Sequence, residues 1–390
     1  MWRKWVSLVL MLALCLSMAA PVWAEEETEG MAPAGNGEEP PVLELSLEEA
    51  IEMALANNLE VALSENAIAK AQVSLREAKS GADQLDSYLE YTGATLETLQ
   101  AINVMPRAAE MNVTLAKLGA DLTKKGLMMN VEKAYYDVLK AQADVANKEA
   151  ALERAKEQLR LAEASVAAGV AAKSDAMGAR VGVTAAEVKL TTAQNTLEGA
   201  MMSLAQVLGR DLSEKFVLTG GFEYEPAEEL DLEAYLSELM ETNLSVVGAK
   251  EGLAIAELQL EQVAKLYTPN VYAYQKAQYD RDEAKIKYNQ AKTGLELSVR
   301  QSYLNLKTAE KAYILLEENV KFAEETARLA ALRYEAGVTT RLEMEKAYDQ
   351  LNETEAQRLG MLYNYNLAKA QLRYGIFVGG GGAAQGGAGF

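Results

Sequence analysis

Twice along the chain, at Gly169 and at Gly337, a single glycine interrupts a run of heptad-spaced apolar and small residues. Leu152, Ala155, Leu159, Ala162 and Val166 precede the first, at alternate spacings of three and four. The positions 168 residues later, ahead of the second, are Val320, Ala323, Ala327, Ala330 and Tyr334. Past Gly169 the same spacing resumes with Leu190, Ala193, Leu197, Ala200, Leu204 and Val207. This is the seam of a coiled coil, and its alanines let the helices approach closely. Glycine takes the left-handed conformation that ends a helix. Each unit therefore reads as a long helix, a tight turn and a helix running back. The longest helix is predicted from near Gln275 to Ala336, about 90 Å at 1.5 Å per residue, with Gly294 its one internal glycine.

A second internal match lies at an offset of 185. Ser46-Leu47-Glu48-Glu49-Ala50 aligns with Asp231-Leu232-Glu233-Ala234-Tyr235, and Asn58-Leu59 falls on Asn243-Leu244. Ser46 and Asp231 are good helix N-caps. Two matches in the same order argue for a duplicated unit rather than chance similarity between two Ala/Leu/Glu-rich helices. The difference in offset places 17 extra residues in the first copy, within Gly81–Gly126. The domains expected are a first helical repeat at 46–210, a connector at 211–230 and a second repeat at 231–377. Phe216-Val217-Leu218 in the connector has the character of a short strand. The fold class is all-α.

The ends differ in character. Met1-Trp2-Arg3-Lys4 leads into an apolar run ending at Val22-Trp23-Ala24. A basic start, a short apolar core and a small residue before the cut make residues 1–24 a secretory signal peptide. An uncleaved anchor is the competing reading, and the core falls short of the ~20 residues a span needs. Residues 25–45, acidic and rich in Gly and Pro, read as a disordered linker. Residues 378–390, nearly all Gly and Ala, read as a disordered tail. Cys15 is the only cysteine and histidine is absent, which removes disulfides, thiolate metal sites and the commonest general base. A formal net charge of -19 disfavours nucleic acid, whose phosphates need basic patches. No cofactor, metal or catalytic constellation is expected, and the acids read as solvated helix faces.

The layout resembles the TolC family of outer-membrane efflux proteins over nearly all of Leu45 to Phe377. The residues that carry the resemblance are Leu45-Ser46-Leu47-Glu48-Glu49-Ala50-Ile51 with Asn57-Asn58, then Ala134-Tyr135-Tyr136, and Arg333-Tyr334-Glu335-Ala336-Gly337-Val338. The resemblance implies an efflux component: a homotrimeric helical duct, with strands from each subunit in a shared membrane barrel. Its periplasmic tip would meet an adaptor (a membrane fusion protein) and an inner-membrane pump. The sequence departs from the family where those strands belong. A membrane strand needs about 9–11 alternating residues, whereas Tyr267 to Glu283 is a turn leading into a charged helix. The barrel strands are expected to be missing or vestigial. Hence the alternative function, an envelope scaffold that keeps the hairpins for association alone.

The hairpin turns are the candidate partner-binding sites, carried over from the family onto Gly169, Val170, Ser174 and Asp175, and onto Gly337, Val338, Thr339 and Thr340. Glu343, six residues past the second glycine, stands where relatives often carry an acid at the tunnel mouth. Lys346 stands where some carry another. The competing reading is that Asp175 and Glu343 occupy the first turn of a helix, where the dipole favours acids.

Overall fold

The computed structural model describes residues 43–377 apart from 215 and 228. The signal peptide, the tail and all but the last three residues of the acidic linker lie outside the described residues. Nine helices and two three-residue strands make up the chain that is described. In order they are β1 (Leu43–Leu45), α1 (Leu47–Asn57), α2 (Leu59–Thr92), α3 (Leu96–Asn103), α4 (Met105–Ala167), α5 (Lys173–Leu208), β2 (Phe216–Leu218), α6 (Leu232–Thr242), α7 (Leu244–Leu266), α8 (Tyr272–Glu335) and α9 (Arg341–Tyr374).

The duplication is plain in this order: α1, α2, α4 and α5 correspond to α6, α7, α8 and α9. Helix α4 has 63 residues and α8 has 64, so each rod is about 95 Å long. Gly294 does not interrupt α8, which starts three residues before the predicted point. Ser46 and Asp231 cap α1 and α6, and Asn58 and Asn243 cap α2 and α7. The extra residues of the first copy are mostly helical. They lengthen α2 to 34 residues against 23 in α7, and they add α3. Gly93, at φ 76, separates the two.

Helix α5 packs along α4, α9 along α8, and α9 also along α4. The four long helices thus run side by side in the order α5, α4, α9, α8. Every seam position named above is buried or half-buried. At the apex, α3 packs on α2 and α7, and Asn103 Nδ2 donates to Gln262 Oε1 at 3.2 Å, joining the two copies.

The hydrophobic core is thickest at the waist of the rod. Tyr135, Val138, Leu204, Leu208 and Val131 gather there under α1, with Leu45 and Phe216. The matching cluster in the second copy holds Tyr313, Leu362 and Tyr365, with Phe222 and Tyr224 of the connector laid against it. One expectation is corrected here. Leu43–Leu45, placed in the linker by composition, is a strand paired in parallel with Phe216–Leu218. Among the described residues no other strand occurs and no barrel forms. No helix among them is long and apolar enough to cross a membrane.

Candidate functional site at the hairpin tips

Both turns close in the same way. At the first, Gly169 has φ 74; its N–H donates to Val166 O (3.0 Å) and the Val170 N–H donates to Ser165 O (3.0 Å). At the second, Gly337 has φ 72, with Gly337 N to Tyr334 O and Val338 N to Arg333 O, both 2.9 Å. This pair of bonds is a Schellman closure, and it needs the left-handed residue that glycine supplies. The residue after each glycine is then pushed into solvent: Val170 is 80% exposed and Val338 76%.

The acids three residues into each returning helix do the same job. Asp175 Oδ2 accepts from Ala172 N at 3.2 Å. Glu343 Oε2 accepts from Thr340 N at 3.4 Å and from the Thr339 hydroxyl, while Thr340 Oγ1 accepts from Glu343 N at 3.3 Å. That is a full capping box at the second tip. The Thr339 hydroxyl, then the Thr340 N–H, hold the Glu343 carboxyl below its ordinary pKa, with a smaller pull from Lys346. Here Glu343 acts as a helix cap, with Lys346 one turn on and exposed. Ser174 is exposed and makes no hydrogen bond that ties the turn.

The structure brings the two tips together through a residue that the sequence left unmarked. Arg341, in the first turn of α9, donates from Nη1 to the backbone carbonyl of Asp175 at 2.6 Å, and its Nε pairs with Glu345 at 3.1 Å. Gly178 makes room for it, since a Cβ there would lie 2.8 Å from Arg341 Nη2. About four turns in from the tips, Arg154 donates to Asn352 Oδ1 at 2.7 Å and lies 5.6 Å over the Tyr348 ring. Between the hairpins runs an open groove of about 840 Å³, with Ala151, Ala155, Gly178 and Gly182 among its small-residue walls and Lys148 and Asp349 among its charges. A signal for Arg341 did exist. A cation in the first turn of a helix opposes the dipole and asks for a partner elsewhere.

The pattern of the outer membrane efflux protein family matches residues 89–210 and 241–374. The chain belongs to that family. No curated sequence matches it. Among solved structures, the outer membrane protein VceC from Vibrio cholerae aligns with TM-score 0.65 at 14% identity, over 84% of this chain and 95% of VceC. A membrane protein from Pseudomonas aeruginosa aligns with TM-score 0.67 at 16% identity, over 88% of this chain and 99% of the other. The Campylobacter jejuni CmeC outer membrane channel aligns with TM-score 0.64 at 12% identity, over 91% and 94%. At such identities these likenesses concern the fold. The efflux-protein match covers both hairpins and so both tips.

Two outcomes are expected at the tips. Gly337→Val and Gly169→Val force a branched side chain into the left-handed region, at about 1–2 kcal/mol per residue. Nothing lies within 4 Å of either position, so the strain stays local. Circular dichroism should show unchanged helicity, while amide exchange at Val170 and Val338 should rise as the Schellman bonds weaken. Unchanged exchange in both variants would show that the left-handed glycine does not hold the turn. Arg341→Ala should cost about 1 kcal/mol or less, because the bond is exposed. Amide exchange over residues 170–175 should nonetheless rise, and Gly178→Ala should reproduce that rise by displacing the guanidinium. Equal exchange in wild type and both variants would show that the link does not hold the tips.

Proposed function

We propose that this efflux-family protein is exported and forms, as a trimer at the outer membrane, a helical duct whose tips dock with a periplasmic adaptor and an inner-membrane pump. The observation that carries this reading lies on the two outermost helices of the four. Met177, Val181, Val188 and Met202 of α5 are exposed, from 39% to 70%. At 100° per residue they fall within an arc of about 60°. Leu297, Leu304, Leu315, Phe322 and Leu329 of α8 are exposed from 39% to 76%, within an arc of about 40°. Each stripe faces away from its helix's own core residues, such as Ala193 and Leu204 on α5 or Val299, Leu306 and Val320 on α8.

Such stripes on a soluble surface mark an association face. They lie at matching heights above the tips, and α5 ascends where α8 descends. The α8 edge of one copy therefore complements the α5 edge of the next, a head-to-tail contact that closes into a ring. Three copies of four long helices would form a tunnel of twelve. The tips supply exposed Val170 and Val338, and the small-residue groove beside them fits an adaptor's helix.

Light scattering tests the ring: a particle of three chains is expected, each lighter than the 42.3 kDa of the full sequence by its cleaved signal peptide. The lack of barrel strands among the described residues favours a second reading, an envelope scaffold without transport. A monomer that crosslinks to no adaptor would replace the duct with that scaffold.

A further inference from the structure

We propose that a charge code at the waist sorts the hairpins as copies assemble. Glu132 admits only α9 to the flank of α4 that faces the second hairpin. Arg300 admits only the uncharged end of α5, from another copy, to the matching flank of α8. This rests on the ring reading, in which the two kinds of hairpin must alternate. Met129, Glu132, Tyr136 and Arg154 of α4 correspond, 168 residues on, to Leu297, Arg300, Leu304 and Phe322 of α8. The first four are buried or half-buried, and Glu132 and Arg154 bond to residues of α9. The second four are all exposed. So α8 bares the face that α4 covers with α9. Along it the charge changes sign at one place, Glu132 against Arg300.

Glu132 is the only charged residue buried among the described residues, at 1% exposure. Its Oε1 accepts from Arg373 Nη1 at 3.3 Å, and its Oε2 is buried without a hydrogen-bond partner. The Tyr136 and Tyr374 phenols lie beside it; burial, then the Glu132 charge, push both up, so they stay neutral. A carboxylate so enclosed depends on its one cation. Arg373 is the cation in the last turn of α9, and the last turn of α5 has none. An α5 from another copy, laid on α4 in place of α9, would leave Glu132 buried and unpaired. Arg300 works the other way. Its Nη2 donates to Glu233 Oε1 and its Nε to Glu296 Oε1, both at 2.9 Å and both within the chain. It needs no acid from a neighbour, so an uncharged α5 end can lie against it. An α9 from another copy would set Arg373 against Arg300, and such like-charge contacts exclude the wrong partner. Both exclusions act against pairing between hairpins of the same kind.

The test uses the full chain with Cys15→Ser and two cysteine pairs for oxidative crosslinking between copies. Leu304→Cys with Met202→Cys reads the α8–α5 contact. Leu304→Cys with Lys369→Cys reads α8 against the α9 of another copy. Peptide mapping identifies the bonds, and native mass spectrometry counts the chains. Without further changes, only the first bond should form, in a particle of three chains. Arg300→Glu gives α8 the acid of α4. It should bring in the second bond and spread the masses beyond three chains. Arg300→Gln, which removes the repulsion without adding an acid beside Glu233 and Glu296, should bring in the second bond more weakly. Lys321→Glu, exposed and off the stripe, should change neither readout. Adding Glu132→Gln with Arg373→Met to Arg300→Glu removes both charges of the α4–α9 pair and should erase the second bond. A three-chain particle in which both Arg300 variants lack the second bond would overturn the code and leave the ring standing. The second bond in the chain with unaltered Arg300, or its appearance with Lys321→Glu, would also overturn the code. A chain that stays monomeric would overturn ring and code together.

Discussion

Phe322→Asp should leave the rod folded and abolish the ring. Phe322 is 76% exposed in a single chain and lies on the face of α8 opposite its buried Val320 and Ala327. An aspartate there meets water in the monomer and disturbs no packing. In the assembled ring it would be pressed between Leu315, Leu329 and the neighbour's α5 stripe. An uncompensated charge at such a contact costs several kcal/mol, on the order of 3–5, repeated at every interface of a symmetric ring. The population should therefore pass from ring to monomer at micromolar concentration, with circular dichroism unchanged. Val188→Asp, on the other edge, should do the same, since each interface uses one stripe of each kind. Lys321→Gln is the control: it is exposed, next in sequence, and off the stripe. A Phe322→Asp protein that keeps the wild-type mass would refute the α5–α8 closure.

The turns, caps and seams were readable because their causes are local. Gly169 and Gly337 sit between heptad runs, and Ser46 and Asp231 stand one residue before amphipathic stretches. Their roles depend on backbone groups two to four residues away. The Phe216-Val217-Leu218 strand was readable for the same reason. Its partner was not. Leu43–Leu45 is three residues at the end of an acidic, Gly- and Pro-rich stretch, and only contact with β2 makes it a strand. Arg341 was missed likewise, because its acceptor lies 166 residues away in sequence. The outward stripes lie between these cases. Leu297, Leu304, Leu315, Phe322 and Leu329 are periodic in the sequence, but periodicity alone does not say which of two apolar faces a helix buries first.

The second large effect is expected at Tyr135, where the waist is pinned. Its ring is 1% exposed, and its hydroxyl donates to Leu45 O at 3.1 Å and accepts from Gly220 N at 3.0 Å. Leu45 O also accepts from Thr219 N at 3.1 Å, so one side chain fastens both strands to α4. Gly220 is matched to it, because a Cβ there would lie 2.9 Å from the hydroxyl. Tyr135→Ala should cost about 3–5 kcal/mol, the usual toll of truncating a buried aromatic. Tyr135→Phe keeps the ring but removes the hydroxyl's bonds to Leu45 O and to the N–H of the exposed Gly220, and should cost about 1 kcal/mol. Its counterpart in the repeat, Tyr303, is only half-buried at the rim of the second cluster, so Tyr303→Ala should cost clearly less. Urea melts resolve these differences. Amide exchange should place the loss: Thr219 and Gly220 should open in both Tyr135 variants, while Val170 and Val338 at the distant tips stay as in wild type. If Tyr135→Ala cost no more than Tyr303→Ala, the strand pair would be an ornament on the hairpin, and the asymmetry between the two copies would have no energetic meaning.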